Sequence, residues 1–218
     1  GTPRVAVTMD YDAAAQRCTV TLDQRCPLVG VEKRAGSDYV KAPFHIPFAL
    51  GLLDPEGRAL PLHLDGASQA QGTALLELTE SRQQWVFEQV PARPVPSLLR
   101  GFSAPVIVEY GWTETELALL SAHDSDPFAR WEAGQELATR QILTLAAQHR
   151  AGAPLQVDAA FIDAWRALLT DPALDAGYRA RALALPSEKA LAERQDAIEP
   201  IALSVARVFL RVELGRQL

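Results

Sequence analysis

Residues 106–117 read Val-Ile-Val-Glu-Tyr-Gly-Trp-Thr-Glu-Thr-Glu-Leu, and the hydrophobic period of the chain changes within this stretch. Before Trp112, apolar residues alternate with polar ones, which is the period of a half-buried strand. Thr113 to Glu116 then has the Thr-x-x-Glu form of a capping box, ahead of the apolar residues Leu117 and Leu120. The stretch therefore predicts that a β region ends here and an α region begins.

The residues before this switch predict short strands. Val5–Tyr11 and Cys18–Leu22 alternate with period two, and Asp12–Gln16 would join them as a hairpin. Residues 44–50 repeat the alternation, and the turn Asp54–Gly57 predicts a second hairpin that returns through Leu60, Leu62 and Leu64. Further strand candidates are residues 74–78, 84–90 and 105–110. About seven short strands predict an immunoglobulin-like antiparallel β-sandwich over residues 1–110.

Prolines mark the connection before the last strand. Pro91, Pro94 and Pro96 cannot donate to a strand ladder, so residues 91–96 predict an edge, a loop or a strand switch. We interpret Ser97–Pro105 as an ordered loop between strands, in which Arg100 pairs with a carboxylate across a domain junction.

The residues after the switch predict an all-α, solenoid-like domain over residues 111–218. Asp126-Pro127 supplies an N-cap followed by proline at the first helical position, and residues 128–150 predict the longest helix, ended by Gly152. Further helix starts are Asp158, Asp175 (with a helix through Leu185), Ser187 and Glu199.

The last of these helices has a wide apolar face. The residues on this face are Ile201, Val205, Val208, Phe209 and Val212. Because the helix runs nearly to Leu218 without a stop signal, we expect the face to pack on helices of a longer polypeptide, of which this chain would be a truncated part.

Composition excludes several classes of function. The net charge is −6, so neither nucleic acid nor another polyanion is an expected partner. No apolar run approaches the roughly 20 residues of a membrane span. Two cysteines, Cys18 and Cys26, do not make a disulfide framework, and their spacing is a poor match to zinc knuckles. These features favour a cytoplasmic protein.

The histidines do not predict a metal centre. His45, His63, His123 and His149 are scattered singly, and none begins an H-E-x-x-H motif. We interpret His45 as a sheet histidine among apolar neighbours, because a catalytic role would need an acidic partner.

His123-Asp124-Ser125-Asp126 is the densest polar cluster. It could bind a cation or polarise a water molecule, but it directly precedes Pro127, so capping of helix amides is the simpler interpretation. Arg130 and Trp131, one turn later, would brace the junction.

Two other features are weaker as sites. Gly101–Pro105 lacks the second glycine of a nucleophile elbow and precedes a strand. The four tryptophans, Trp85, Trp112, Trp131 and Trp165, are each isolated within apolar patterns and predict packing anchors. We therefore predict no catalytic, cofactor-binding or metal-binding residue in this chain.

Four strings carry a resemblance to a known family: residues 1–3 (Gly-Thr-Pro), 44–53 (Phe-His-Ile-Pro-Phe-Ala-Leu-Gly-Leu-Leu), 94–105 (Pro-Val-Pro-Ser-Leu-Leu-Arg-Gly-Phe-Ser-Ala-Pro) and 123–134 (His-Asp-Ser-Asp-Pro-Phe-Ala-Arg-Trp-Glu-Ala-Gly). In this order they resemble bacterial aminopeptidase N, from Gly1 to about Ala147 and more loosely to Leu218. Residues 31–40 depart from the family by a longer connector than expected, which leaves the path of that loop open.

The resemblance implies that this chain is the small β-sandwich domain of a zinc aminopeptidase and the first part of its C-terminal helical domain. The zinc-binding H-E-x-x-H and the motif for the substrate amine would lie upstream of Gly1. The parent would remove single N-terminal residues from peptides, Ala and other small, basic or apolar ones, by zinc-activated attack of water. This chain would scaffold the reaction and help to enclose the active-site cavity, with the catalytic domain of the same polypeptide as its partner.

Two alternatives remain open from the sequence. One is a self-standing β-sandwich module that presents loops to a protein partner. The other is an enzyme with a site at His123, Asp124 and Asp126, which predicts hydrolase activity that Asp126→Ala abolishes.

Overall fold

The computed structural model describes residues 1–35, 41–64, 71–195 and 197–218. The chain divides into two compact units. Unit 1 comprises Gly1–Trp112 and Asp124–Ala129, and unit 2 comprises Thr113–His123 and Arg130–Leu218.

Unit 1 contains two sheets, which confirms the predicted sandwich. Its strands are β1 (Arg4–Asp12), β2 (Arg17–Arg25), β3 (Ile46–Leu53), β4 (His63–Leu64), β5 (Ala74–Leu78), β6 (Arg82–Glu88), β7 (Val95–Leu98) and β8 (Ile107–Glu109). Five strands form one sheet in the order β4-β6-β2-β1-β8, and three form the other in the order β5-β3-β7. The β1–β8 pair is parallel and the remaining pairs are antiparallel.

The first predicted hairpin is confirmed. β1 and β2 pair with Val7 opposite Leu22, and their inward residues alternate with outward ones as period two requires. Val5, Cys18 and Leu22 are fully buried in the core between the sheets, together with Phe48 of β3. This alternation of buried and exposed residues is the sequence pattern from which the hairpin was predicted.

The second predicted hairpin is correct only as far as Leu60. The turn closes through a hydrogen bond from the Gly57 amide to the Asp54 carbonyl (2.9 Å), and the Leu60 amide donates to the Leu52 carbonyl (2.8 Å). Beyond this point the prediction is wrong, because β4 pairs with β6 in the other sheet. The next position on β3 is already occupied on both sides, because Leu50 pairs with Ala74 of β5 and with Leu98 of β7.

The proline-rich connector ends in an edge strand. Pro96 lies within β7, which pairs with β3 alone in the order of the sheet. Two of the options that the prolines left open are observed, because residues 91–94 form a loop and residues 95–96 belong to the edge strand. The predicted loop over Ser97–Pro105 is wrong at its start, because Ser97 and Leu98 belong to β7.

Left-handed backbone then turns the chain away from β7. Leu99 has φ 56° and Gly101 has φ 61°, and a short 3-10 turn spans Arg100–Phe102. Another 3-10 turn, Gly30–Ala35, overlaps the connector 31–40 that was predicted to be unusually long, and residues 36–40 of that connector lie outside the described residues.

Unit 2 is helical, as predicted. With the first turn of α2 counted in unit 1, the helices are α1 (Glu114–His123), α2 (Pro127–Arg150), α3 (Ala159–Thr170), α4 (Ala176–Ala182), α5 (Glu188–Ala192) and α6 (Pro200–Gln217). The predicted capping box is formed, because the Thr113 amide donates to Glu116 Oε2 (2.8 Å) and the Glu116 amide donates to Thr113 Oγ1 (3.2 Å).

The predicted N-caps after Gly152 also hold for three helices. Asp158 accepts from the Ala160 amide, Asp175 from the Tyr178 amide and Ser187 from the Ala190 amide. α4 ends at Ala182 rather than at Leu185, because Pro186 disfavours helical backbone at the residue before it.

Helix α6 carries a second apolar face, which is buried inside unit 2, besides the predicted face that we expect to pack on helices of a longer polypeptide. The residues that pack inside unit 2 are Ala202, Leu203, Ala206, Leu210 and Leu214. Ile201, Val208 and Val212, from the predicted face, are 77%, 46% and 43% exposed. Apolar residues therefore occupy both sides of α6.

Among the described helices, none is both long and apolar enough to cross a bilayer.

Candidate functional site

The structure brings the two acidic residues of the His123–Asp126 segment against the turn that follows β7. His123 is exposed at the end of α1, whereas Asp124 is buried. Asp124 Oδ1 accepts from Arg100 Nη2 (2.8 Å) and from the Asp126 amide (2.9 Å). The predicted pairing of Arg100 with a carboxylate is thus confirmed, with Asp124 as the partner, but Asp124 belongs to the same unit as Arg100 and not to another domain.

Asp126 acts as the predicted N-cap of α2. Its Oδ1 accepts from the Ala129 amide (2.8 Å), and both carboxylate oxygens accept from the Gly101 amide (3.1 and 3.0 Å). The capping interpretation of the acidic cluster therefore holds for Asp126. The same carboxylate also fixes the left-handed residue beside Arg100.

Arg100 is anchored from several sides. Its Nε donates to Ser97 Oγ (2.8 Å), and its Nη1 donates to Thr73 Oγ1 (3.0 Å) and the Gly72 carbonyl (3.3 Å). The guanidinium lies against the backbone of Gly51, where a β-carbon would be 2.3 Å from Arg100 Cζ. Only glycine leaves room for this group at position 51 of β3.

Electrostatics at Asp124 follow from its burial. Burial raises the pKa of the Asp124 carboxyl, while hydrogen bonds from Ser97 and the Asp126 amide and the charge of Arg100 act in the opposite direction. The ion pair with Arg100 therefore does not fully offset the loss of hydration. The contacts of both acidic residues are structural ones, to a buried arginine and to helix and loop amides.

Arg130 braces the end of α1, as the sequence predicted. It is buried and donates from Nε to the Ser121 carbonyl (2.9 Å) and from Nη2 to Asp171 Oδ2 (2.9 Å). Such a cation at the last turn of a helix satisfies carbonyls that have no partner within the helix. Trp131 receives the guanidinium of Arg181 over its ring, at 5.5 Å from the centroid.

The other tryptophans pack as predicted. Trp165 is buried and stacks on Phe161 with ring centroids 4.2 Å apart. Trp85 and Trp112 pack against the sandwich core, and Trp112 Nε1 donates to the Pro96 carbonyl (3.1 Å).

The environment predicted for His45 is wrong. It precedes β3, is exposed, and contacts Glu77 Oε2 of β5 through its Nε2. The acidic partner that a catalytic role requires is therefore present, but both side chains are more than half exposed, at 65% and 53%. A solvated pair of this kind is an ordinary surface contact.

Ser103 and the two cysteines make no catalytic arrangement. Ser103 Oγ accepts from the Ala49 amide (2.9 Å), and the turn around it leads towards β8 rather than towards a helix. Cys18 and Cys26 are both free thiols, and burial raises the pKa of Cys18 to about 11.

A metal site would require several metal-binding side chains close together. Within residues 1–35, 41–64, 71–195 and 197–218, no three His, Cys, Asp or Glu side chains are grouped to hold a metal ion. A cavity of about 90 Å³ in unit 2 is lined by residues that include Glu114, Leu137, Gln141 and Phe161. This volume suits a few water molecules rather than a peptide.

The fold and the polar cluster define a class of protein: an immunoglobulin-like sandwich joined to a helical-repeat domain, with acidic residues in structural roles. Two family profiles agree with this class. Residues 1–111 match DUF3458, described as a domain of unknown function with an Ig-like fold. Residues 114–218 match DUF3458_C, described as a domain of unknown function with ARM repeats. The chain belongs to the DUF3458 family.

Sequence relatives identify the larger protein in which this arrangement occurs. The chain is 38% identical to aminopeptidase N of Escherichia coli (strain K12), over all of its own length and 24% of the relative. It is 38% identical to aminopeptidase N of Caulobacter vibrioides, over 99% of its length and 23% of the relative. The chain thus spans about a quarter of these relatives and corresponds to their Ig-like and helical region.

A solved structure agrees with the sequence relatives. Legionella pneumophila aminopeptidase A, crystallised in complex with aspartic acid, matches with a TM-score of 0.76 and 26% sequence identity. The match covers 100% of this chain and 22% of the Legionella chain. The resemblance to aminopeptidase N that the four sequence strings indicated is therefore confirmed.

Proposed function

We propose that this chain is the non-catalytic scaffold of a zinc-dependent aminopeptidase that removes N-terminal residues from peptides. The observation that carries the proposal is the alignment of the whole chain with about a quarter of aminopeptidase N at 38% identity. The chain would support the catalytic domain of the same polypeptide and help to enclose its active-site cavity. We keep the predicted boundary between residues 110 and 111 only as the point in the sequence at which strands give way to helices.

The donor set of the chain does not fit a catalytic zinc ion. Such sites use three protein ligands, and the helical H-E-x-x-H supplies two of them from one face. In this sequence the residues after the four histidines are Ile46, Leu64, Asp124 and Arg150, so none begins the motif. We therefore assign zinc, and the activation of water that it supplies, to the remainder of the polypeptide.

The substrate class follows from the same assignment. Removal of Ala and other small, basic or apolar N-terminal residues would be a property of the complete polypeptide, since this chain covers 24% of the aminopeptidase N that it matches. The two free thiols support a reducing, cytoplasmic setting for that polypeptide.

A comparison of the 218-residue chain with the complete polypeptide encoded by its gene tests this function. Both are assayed for zinc by mass spectrometry and for cleavage of alanyl-p-nitroanilide. We expect about one zinc ion per complete polypeptide together with cleavage, and neither from the 218-residue chain alone. As a control, the 218-residue chain should show the helical circular dichroism of a folded protein.

Two results would contradict the proposal. One is stoichiometric zinc and cleavage in the 218-residue chain itself. The other is a complete polypeptide that lacks both zinc and peptidase activity, which would favour a self-standing binding module. If activity did reside in this chain, loss of that activity in Asp126→Ala would indicate a site at His123, Asp124 and Asp126.

A further inference from the structure

The contacts around Arg100 proceed residue by residue along two segments. Arg100 bonds Asp124, the Gly101 amide bonds Asp126, and the ring of Phe102 lies against that of Phe128 with centroids 5.2 Å apart. Residues 124–129 accordingly cluster with the sandwich, in unit 1, although they follow α1 in sequence.

Arg100 spans all three strands of the smaller sheet. Its guanidinium bonds Ser97 of β7, covers Gly51 of β3 and bonds Thr73, the residue before β5. The side chain is 6% exposed, and its ion-pair partner among the described residues is Asp124, whose side chain is 0% exposed. A cation that is buried on the outer side of a sheet thus depends on a carboxylate from a distant segment.

We propose that residues 124–129 are an integral part of the sandwich, a strap that packs on the Arg100–Phe102 turn after β7 and neutralises Arg100. The folded sandwich requires this strap, so the unit of folding extends past the predicted boundary at residue 110. This inference does not rest on the proposed peptidase function.

The energetics of buried ion pairs support the requirement. Replacing both members of such a pair by apolar residues is often neutral, whereas removing one member leaves a buried charge uncompensated. The raised pKa of Asp124 agrees with a pair that contributes little by itself. The other contacts of Arg100 hold its guanidinium on Gly51. The strap is therefore needed to supply the carboxylate that neutralises this buried charge.

Hydrogen exchange in the complete 218-residue chain tests the proposal. Asp124→Ala is compared with Asp23→Ala, which removes one member of a solvated pair in the same unit, with Arg82. We expect protection of the β3 amides to fall by about 100-fold or more in D124A, since one buried partner is lost. Protection in D23A should stay within about threefold of the parent, as for other surface pairs.

A double variant, Arg100→Met with Asp124→Leu, keeps the proposal testable if the D124A chain does not fold. Since both charges are removed together, β3 protection should return to within about tenfold of the parent. The proposal is overturned if D124A loses protection only at the Gly101 and Ala129 amides while β3 is unchanged. It is also overturned if the double variant is no better protected than D124A, or remains unfolded.

Discussion

Gly51 makes the sharpest prediction, because its lack of a side chain is what admits Arg100. A β-carbon at position 51 would lie 2.3 Å from Arg100 Cζ, 2.4 Å from Nε and 2.6 Å from Nη2. These distances are too short for any pair of non-bonded atoms, so Gly51→Ala must displace the guanidinium. Displacement breaks its bonds to Ser97, Thr73 and Asp124 together.

The expected cost follows from those lost contacts. Breaking a buried ion pair destabilises a protein by roughly 3–5 kcal/mol, or about two to four orders of magnitude in the opening equilibrium. Gly72→Ala is the matched control, because nothing lies within 4 Å of a β-carbon there and the carbonyl that accepts from Arg100 is retained. We expect G72A to change the free energy of unfolding by less than about 0.5 kcal/mol.

Cys18 provides an assay that reports on the sandwich alone. Its thiol is fully buried in the core of unit 1, so a thiol reagent reacts with it only when that unit opens. In a Cys26→Ser background, the labelling rate of Cys18 should rise by about 100-fold or more in G51A. A rate in G51A within threefold of the G72A rate would refute the claim that the position of Arg100 requires glycine at position 51.

Three further predictions concern unit 2 and can be followed by circular dichroism at 222 nm. Asp158→Ala removes the N-cap of α3 and should lower the free energy of unfolding by about 1 kcal/mol, whereas exposed Asp163→Ala should not. Leu210→Ala, in the buried face of α6, should cost about 2–5 kcal/mol, against less than about 0.5 kcal/mol for Val208→Ala on the exposed face. The Ala173 amide and Arg130 lower the pKa of Asp171, so the stability it contributes is present above its ordinary pKa and is lost as pH falls through the lowered value. The advantage of the parent chain over Asp171→Asn should therefore shrink as acid is added, and an advantage that is independent of pH would contradict this account.

The features that the sequence predicted are those that a few neighbouring residues determine. The Thr113–Glu116 capping box joins residues three apart, and Asp126 accepts from an amide in the first turn of the helix that it caps. The β1–β2 hairpin likewise follows from alternation on both sides of a short loop. Local hydrogen bonding and period suffice for such elements, because the competing conformations are also local.

The features that the sequence did not predict depend on distant pairing. β4 could have continued the hairpin on β3, and nothing in His63 or Leu64 specifies that they pair with β6 instead. For Arg100, a carboxylate partner was predictable from its charge, but Asp124 lies 24 residues away and was indistinguishable from other nearby acids. The four strings that resemble the family indicated the fold, and they contain both Arg100 and Asp124. They did not show that these two residues are in contact.

Helix α6 shows that one helix can carry two apolar stripes, of which only one was recognised in the sequence. Ile201, Val205, Val208 and Val212 recur at helical spacing, and so do Leu203, Ala206, Leu210 and Leu214. A stripe of large β-branched residues is the stronger pattern by hydrophobicity, but Leu and Ala permit the closer packing that the interior of unit 2 requires. Because hydropathy ranks both stripes as apolar, period alone cannot choose between them, and the choice is made by which stripe fits the helices already present.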